Sequence, residues 1–306
     1  MYIFYYLGQV GNAIFWCSSS YFLSENQTTI KWNKIISILI DTWFISLLWL
    51  IVGLVIGGVS KGLVLRSLFP VTFANNGFVT VYILLMFLTP SINLIINRAS
   101  NKQLGTICML MLFMYSFVKL FYIGLFFTNL VVDFICIYFF VAYIKRISSS
   151  ISNQKLLWSC MLSFFALISL IFIKQQIGSN HPQLAVNMLK DCHMMNPFII
   201  TFSVSLTILV SRYHFYNKTV NIIAGCSLLI YLLHENIIFR ELFKPQIWQK
   251  ITELNIDRVA GTIGFAFLCI FISCVFSYFY QLVFKNTKAN RIVAYFESIV
   301  RKFILE

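Results

Sequence analysis

Long apolar runs, separated by short polar stretches, divide this chain from end to end. Nine can be traced, at about 3–22, 35–57, 77–96, 104–121, 129–144, 156–173, 197–211, 222–238 and 259–284. A membrane-spanning helix needs roughly 20 mainly apolar residues, so each run predicts a helix, the fifth and seventh being short. A transmembrane barrel would instead alternate apolar and polar positions in segments of about ten residues. The pattern predicts an all-α fold: a polytopic transmembrane helix bundle of about nine spans, forming one domain over 1–306. After the last run, "RIVAYFESIVRKFI" puts Ile292, Tyr295, Phe296, Ile299, Val300 and Phe303 on one helical face. Arg291, Glu297, Arg301 and Lys302 lie off that face. This predicts an amphipathic helix over 287–304 lying in the membrane interface.

Composition strengthens the membrane reading. Of 306 residues, 59% are hydrophobic and only 11% charged, against about 25% charged in soluble domains. Too little polar surface remains to cover a water-soluble globule of this size. The net charge of +13 could suggest nucleic acid, but the cations are spread through short loops, where they chiefly fix topology. Nucleic acid is therefore not an expected partner; membrane lipids are. Alternate loops and the C-terminal tail hold fourteen Lys and Arg, against nine in the longer loops of the other side. The C-terminus is expected in the cytoplasm and the N-terminus outside, with the first run a span rather than a signal peptide, since no positive segment precedes it. Of eight cysteines, only Cys192 falls outside an apolar run, and no C-x-x-C pair occurs. Neither a disulfide framework nor a metal site is expected.

Polar groups inside apolar runs are costly and mark functional positions. In "SLLIYLLHENIIFR", Tyr231, His234 and Glu235 stand at i, i+3 and i+4, on one helical face. On the expected topology this helix runs outward and the cluster lies near its outer end. Asp41 sits inside the second run, where it needs a pairing or lining role, whereas Asp133 reads as interfacial. Lys31 and Lys34 precede the second run on the cytoplasmic side, spaced so that both ammonium groups can share an anion. His181 and His193 fall in an outer loop and His214 in a cytoplasmic one, with no accompanying ligand set.

Four stretches, in this order, resemble a known family. "LGQVGNAIFWCSSSYFLSE" resembles a Phe-rich run into Ser-Gly-Tyr-Phe-Leu, and "LFPVTFANNGFVTVYILLMFLTPSIN" a series of Tyr-Trp-Phe, Tyr, Pro and Asn. "FICIYFFVAYIKR" and "IYLLHENIIFRELF" are similar to its later signatures. The family is acyltransferase family 3, the integral-membrane O-acyltransferases of surface polysaccharides. Ser19 replaces a usual Gly, and Asn76-Gly77 a usual Tyr-Trp.

The resemblance implies a multi-pass protein of a bacterial plasma membrane. Its members move an acyl group, commonly acetyl, from cytoplasmic acyl-CoA to a hydroxyl of an extracytoplasmic polysaccharide or lipid-linked glycan. No bound cofactor is implied; acyl-CoA is the donor substrate. Lys31 and Lys34 then match the basic pair near the CoA phosphates, and Tyr231, His234 and Glu235 an acceptor-side polar cluster. The family's usual first span, with an Arg and a His regarded as catalytic, has no counterpart here. The expectation is a chain lacking that span, with little transfer activity as written and with its catalytic residue unknown. A polysaccharide transporter or flippase, or a polymerase, of the same pathway stays open.

Overall fold

The computed structural model describes residues 2–24, 29–117, 130–180, 193–213, 215–254, 257–285, 295 and 298. The helix expected over 287–304 therefore lies outside the described residues, apart from Tyr295 and Ser298. Among those described, the chain is all-helical with no strand. In order come α1 Tyr2–Leu23, α2 Trp32–Ile56, α3 Lys61–Leu68, α4 Gly77–Arg98, α5 Asn101–Leu112 and α6 Leu130–Ile147. Then follow α7 Asn153–Asn180, α8 Pro197–Ser211, α9 Lys218–Gly225, α10 Ser227–His234, α11 Lys244–Glu253 and α12 Arg258–Lys285.

Four helices, α2, α4, α7 and α12, are long and apolar enough to cross a membrane by length and composition. Only 11% of the most apolar stretch of α12 is buried, and Phe267, Phe271 and Phe279 face outward. An apolar helix exposed on most sides is stable only in apolar surroundings, which is compatible with a membrane protein. The helices of the other five runs are shorter or more polar.

One expected helix is corrected. The run 222–238 is not continuous: α9 stops at Gly225, a turn intervenes at Cys226, and α10 ends at His234. Glycine is a weak helix former, which favours a break there. At the other end, the side chain of Asn236 accepts from the backbone N–H of Ile238 at 2.9 Å. That bond caps a new helical turn, which continues through a π-helical stretch at Phe239–Phe243 into α11.

The 1–306 chain contains two compact units, Met1–Ile30 with Leu84–His214 and Lys31–Ile83 with Phe215–Glu306. In the first, α6 packs against α1, α5 and α8, and α7 against α8. Trp16 of α1 is fully buried and stacks on Phe134 of α6, ring centroids 3.3 Å apart. Asn93 of α4 accepts from the Tyr138 hydroxyl of α6 at 2.7 Å and donates to the Leu23 carbonyl at 3.2 Å. Asp133 is buried in the first turn of α6. The amide dipoles of a helix N-terminus favour a carboxylate there.

Loop cations of this unit do more than orient it. Lys145 donates to the Tyr21 carbonyl at 2.8 Å and lies 4.0 Å over the Tyr21 ring. Arg146 donates to the carbonyls of Ala99 at 2.8 Å and Ile96 at 2.6 Å. Arg212 donates to the carbonyls of Ser148 at 2.5 Å and Ile151 at 2.9 Å, and to the Asn153 side chain. Each donates to main-chain oxygens at or beside a helix end.

Gly105 of α5 permits a close approach to α6. A Cβ there would meet the Tyr143 hydroxyl oxygen at 2.9 Å and the ring at 3.1 Å. Gly105→Val is expected to lower stability by about 1–3 kcal/mol through overpacking, measured as the thermal midpoint of the detergent-purified protein. An unchanged midpoint would show that Tyr143 swings aside at no cost.

In the second unit, α10 packs against α2 and α12, and α11 against α12. Gly57 and Gly58 end α2 with φ of +89° and +88°, a region that glycine enters without penalty. Ser60 then caps α3 by accepting from the Leu63 N–H. Leu63, Ile237 and Ile238 form a buried apolar cluster with Trp49, Val59, Leu242 and Phe243 around it.

Candidate functional site

All the sequence-derived candidate residues fall in the second unit. Tyr231 and His234 are both on α10, and Glu235 is its C-cap residue rather than a member of the helical face. The Tyr231 ring lies 5.2 Å from that of Phe78 and 6.1 Å, edge-on, from that of His234. His234 Nδ1 is 2.6 Å from the carbonyl oxygen of Ile230, one turn back. A carbonyl only accepts, so Nδ1–H donates in this contact and Nε2 is the ring nitrogen left for other partners.

Glu235 is held from the far side of the helix break. Its Oε1 accepts from Lys244 Nζ at 2.7 Å, and the same oxygen lies 3.8 Å from His234 Nε2. Lys244, the first residue of α11, read from sequence only as a loop cation. Nine positions separate it from Glu235, a spacing that no continuous helix brings together. The kink at Asn236 makes the pairing.

The three side chains are 35%, 31% and 24% exposed for His234, Glu235 and Lys244. They are thus reachable yet partly withdrawn from solvent, where charge-assisted hydrogen bonds are strongest. His234 Nε2 and Glu235 Oε1 lie 3.8 Å apart. A hydroxyl brought beside them can donate its single proton to one of the two atoms. Cys269 of α12 lies within electrostatic range of Glu235 and Lys244, which places α12 alongside the cluster.

Asp41 is paired. The Tyr280 hydroxyl of α12 donates to Asp41 Oδ1 at 2.8 Å, and the Tyr280 ring lies 5.2 Å from that of Phe44. The partner is 239 positions away. Lys31 is the N-cap of α2 without a side-chain capping bond, and Lys34 sits in the first turn, 5.5 Å over the Tyr82 ring. Both are exposed. Two ammonium groups and no carboxylate in the first turn oppose the helix dipole; an anion there would relieve both.

His193 accepts from the Met195 N–H through Nδ1 at 3.1 Å, a local turn contact. His181, Cys192 and His214 lie outside the described residues. No three of His, Cys, Asp and Glu gather as a metal site among the described residues. The seven described cysteines are free, and five of them are buried.

Comparison of the chain with protein-family profiles, with curated proteins and with solved structures gives no match.

Proposed function

We propose that this chain is a polytopic membrane protein of about nine spans that carries out O-acyl transfer. It takes an acyl group, acetyl in the first instance, from cytoplasmic acyl-CoA. It passes the group to a hydroxyl of an extracytoplasmic polysaccharide or lipid-linked glycan, forming the ester and releasing the CoA thiol. The observation that carries this reading is the His234 Nε2–Glu235 Oε1 pair at 3.8 Å, anchored by Lys244 and suited to holding a sugar hydroxyl. The family resemblance of "IYLLHENIIFRELF" adds to it. Tyr231, His234 and Glu235 position the acceptor, and Lys31 and Lys34 bind the CoA phosphates as point charges.

The test follows labelled acetyl-CoA in membranes holding the chain. Alkali-labile label in surface glycan, absent from membranes without the chain, is the expected result once a span bearing the family's usual Arg and His is supplied with it. Glycan exported unesterified, in amounts that depend on the chain, would favour a transporter instead. The Asp41–Tyr280 pair between apolar helices is the feature that suits that reading.

Orientation is tested separately by cysteine labelling from outside. Residues introduced in 60–74, 178–192 and 245–256 should react, and those in 26–33, 147–154 and 287–290 should not. The opposite pattern would put the donor side on the wrong face.

A further inference from the structure

We infer that the corner between α4 and α5 binds the phosphate of an anionic phospholipid, held by Arg98 and Lys102. An open hollow of about 700 Å³ lies there, lined by Ile95, Arg98, Ala99, Lys102, Gln103 and Ile107 among others. Its two cations are exposed, and neither side chain has a hydrogen bond or ion pair among the described residues. In contrast, Lys145, Arg146 and Arg212 are all committed to main-chain carbonyls of the same unit. Arg146 holds the carbonyls of Ile96 and Ala99 directly beside the hollow, which adds positive charge to its wall.

Nothing described nearby balances that charge. Asp133 is the one described carboxylate of this unit, and it occupies the opposite end of α6 from Arg146. Glu25 and Asp191 lie outside the described residues. The N-terminus of α5 is already satisfied by a Ser100–Gln103 capping box, so the cations rather than the helix end supply the attraction.

The shape points to a lipid. The hollow is lined both by Arg98, Lys102 and Gln103 and by the apolar Ile95, Ala99 and Ile107. Beyond it, Leu94, Met109 and Leu110 are exposed on α4 and α5. A ligand with an anionic head and apolar tails meets both surfaces, whereas a free phosphate meets one. Basic pockets between membrane helices on the cytoplasmic side bind anionic headgroups in this manner, and the loop charges put Arg98 and Lys102 on that side. The inference rests on the membrane reading of α4, not on acyl transfer.

The experiment uses the full chain purified in detergent and passed into nanodiscs of phosphatidylcholine with graded phosphatidylglycerol. Bound lipid is counted by native mass spectrometry. The wild type should retain one phosphatidylglycerol beyond that retained by Arg98→Gln/Lys102→Gln. Loss of two surface charges should weaken that binding about 30-fold. Arg98→Lys/Lys102→Arg should retain the lipid, which keeps the test decisive if the neutral variant folds poorly. Lys155→Gln, a single-charge control on α7, should behave as wild type.

Equal retention by the Arg98→Gln/Lys102→Gln protein would overturn the site. Equal retention of phosphatidylcholine and phosphatidylglycerol would overturn the charge selection. Displacement of the lipid by inorganic phosphate or glycerol phosphate at matched concentration would assign the hollow to a soluble phosphate and overturn the lipid. Release of the native protein from membranes by carbonate would instead refute the membrane reading itself.

Discussion

In membranes holding the chain with a supplied span that carries the family's usual Arg and His, His234→Ala is expected to abolish acyl transfer to glycan while keeping the protein level and the binding of acyl-CoA. Removing the imidazole takes away Nε2, which lies 3.8 Å from Glu235 Oε1, and leaves Glu235 with Lys244. A hydroxyl with the imidazole gone from beside it samples more orientations, and misplacement of about 1 Å costs on the order of 100-fold in rate. The variant also loses the Nδ1 bond to Ile230, worth about 1 kcal/mol of stability, too little to clear the protein from the membrane. The Lys31→Ala/Lys34→Ala protein should show the opposite profile: weaker acyl-CoA binding, with transfer restored at saturating donor. Normal transfer by His234→Ala would reduce the residue to a bond that closes a helix end, and the acceptor site would have to be sought elsewhere.

Arg146→Ala should produce a large loss of stability. Two charge-assisted bonds, at 2.8 and 2.6 Å, would disappear from the C-terminal end of α4. At about 1.5–3 kcal/mol for each bond to a charged group, the expected total is roughly 3–6 kcal/mol. The check is a fall in the thermal midpoint of the detergent-purified protein. Arg98→Gln should change stability by less than about 0.5 kcal/mol, because its side chain has no bond to lose among the described residues. Arg146→Lys should recover only part, since one ammonium cannot reproduce the planar two-point grip. Equal midpoints for Arg146→Ala and Arg98→Gln would leave Arg146 as a topology signal without a structural role.

Helix content was legible in the sequence because a long apolar run in a chain with few charges has few alternatives. Long-range partners were not. Asp41 stood out as a carboxylate needing a partner, but nothing in the sequence points to Tyr280, which belongs to another run and is itself an ordinary interfacial aromatic. Glu235 was visible and its Lys244 was not, because helical spacing rules stop at a helix break. The break itself had a readable signal, an Asn two residues before Ile238 whose side chain can cap a new turn. The α3 helix was hidden for a different reason: eight residues with mixed polarity resemble a loop until Ser60 is recognised as a cap. Lys145, Arg146 and Arg212 could be counted as charges, but a count cannot distinguish a cation in water from one that closes a helix end.

These three cations also impose an order on biosynthesis. Lys145 is made 124 positions after the Tyr21 carbonyl it binds, Arg146 is made 47 and 50 after Ala99 and Ile96, and Arg212 is made 64 and 61 after Ser148 and Ile151. In every case the acceptor leaves the ribosome first and waits for its donor. The wait is longest for α1, whose unit is interrupted in sequence by Lys31–Ile83. A nascent chain in which residues 145 and 146 have not yet emerged therefore lacks the side-chain donors that Lys145 and Arg146 bring to the Tyr21, Ile96 and Ala99 carbonyls.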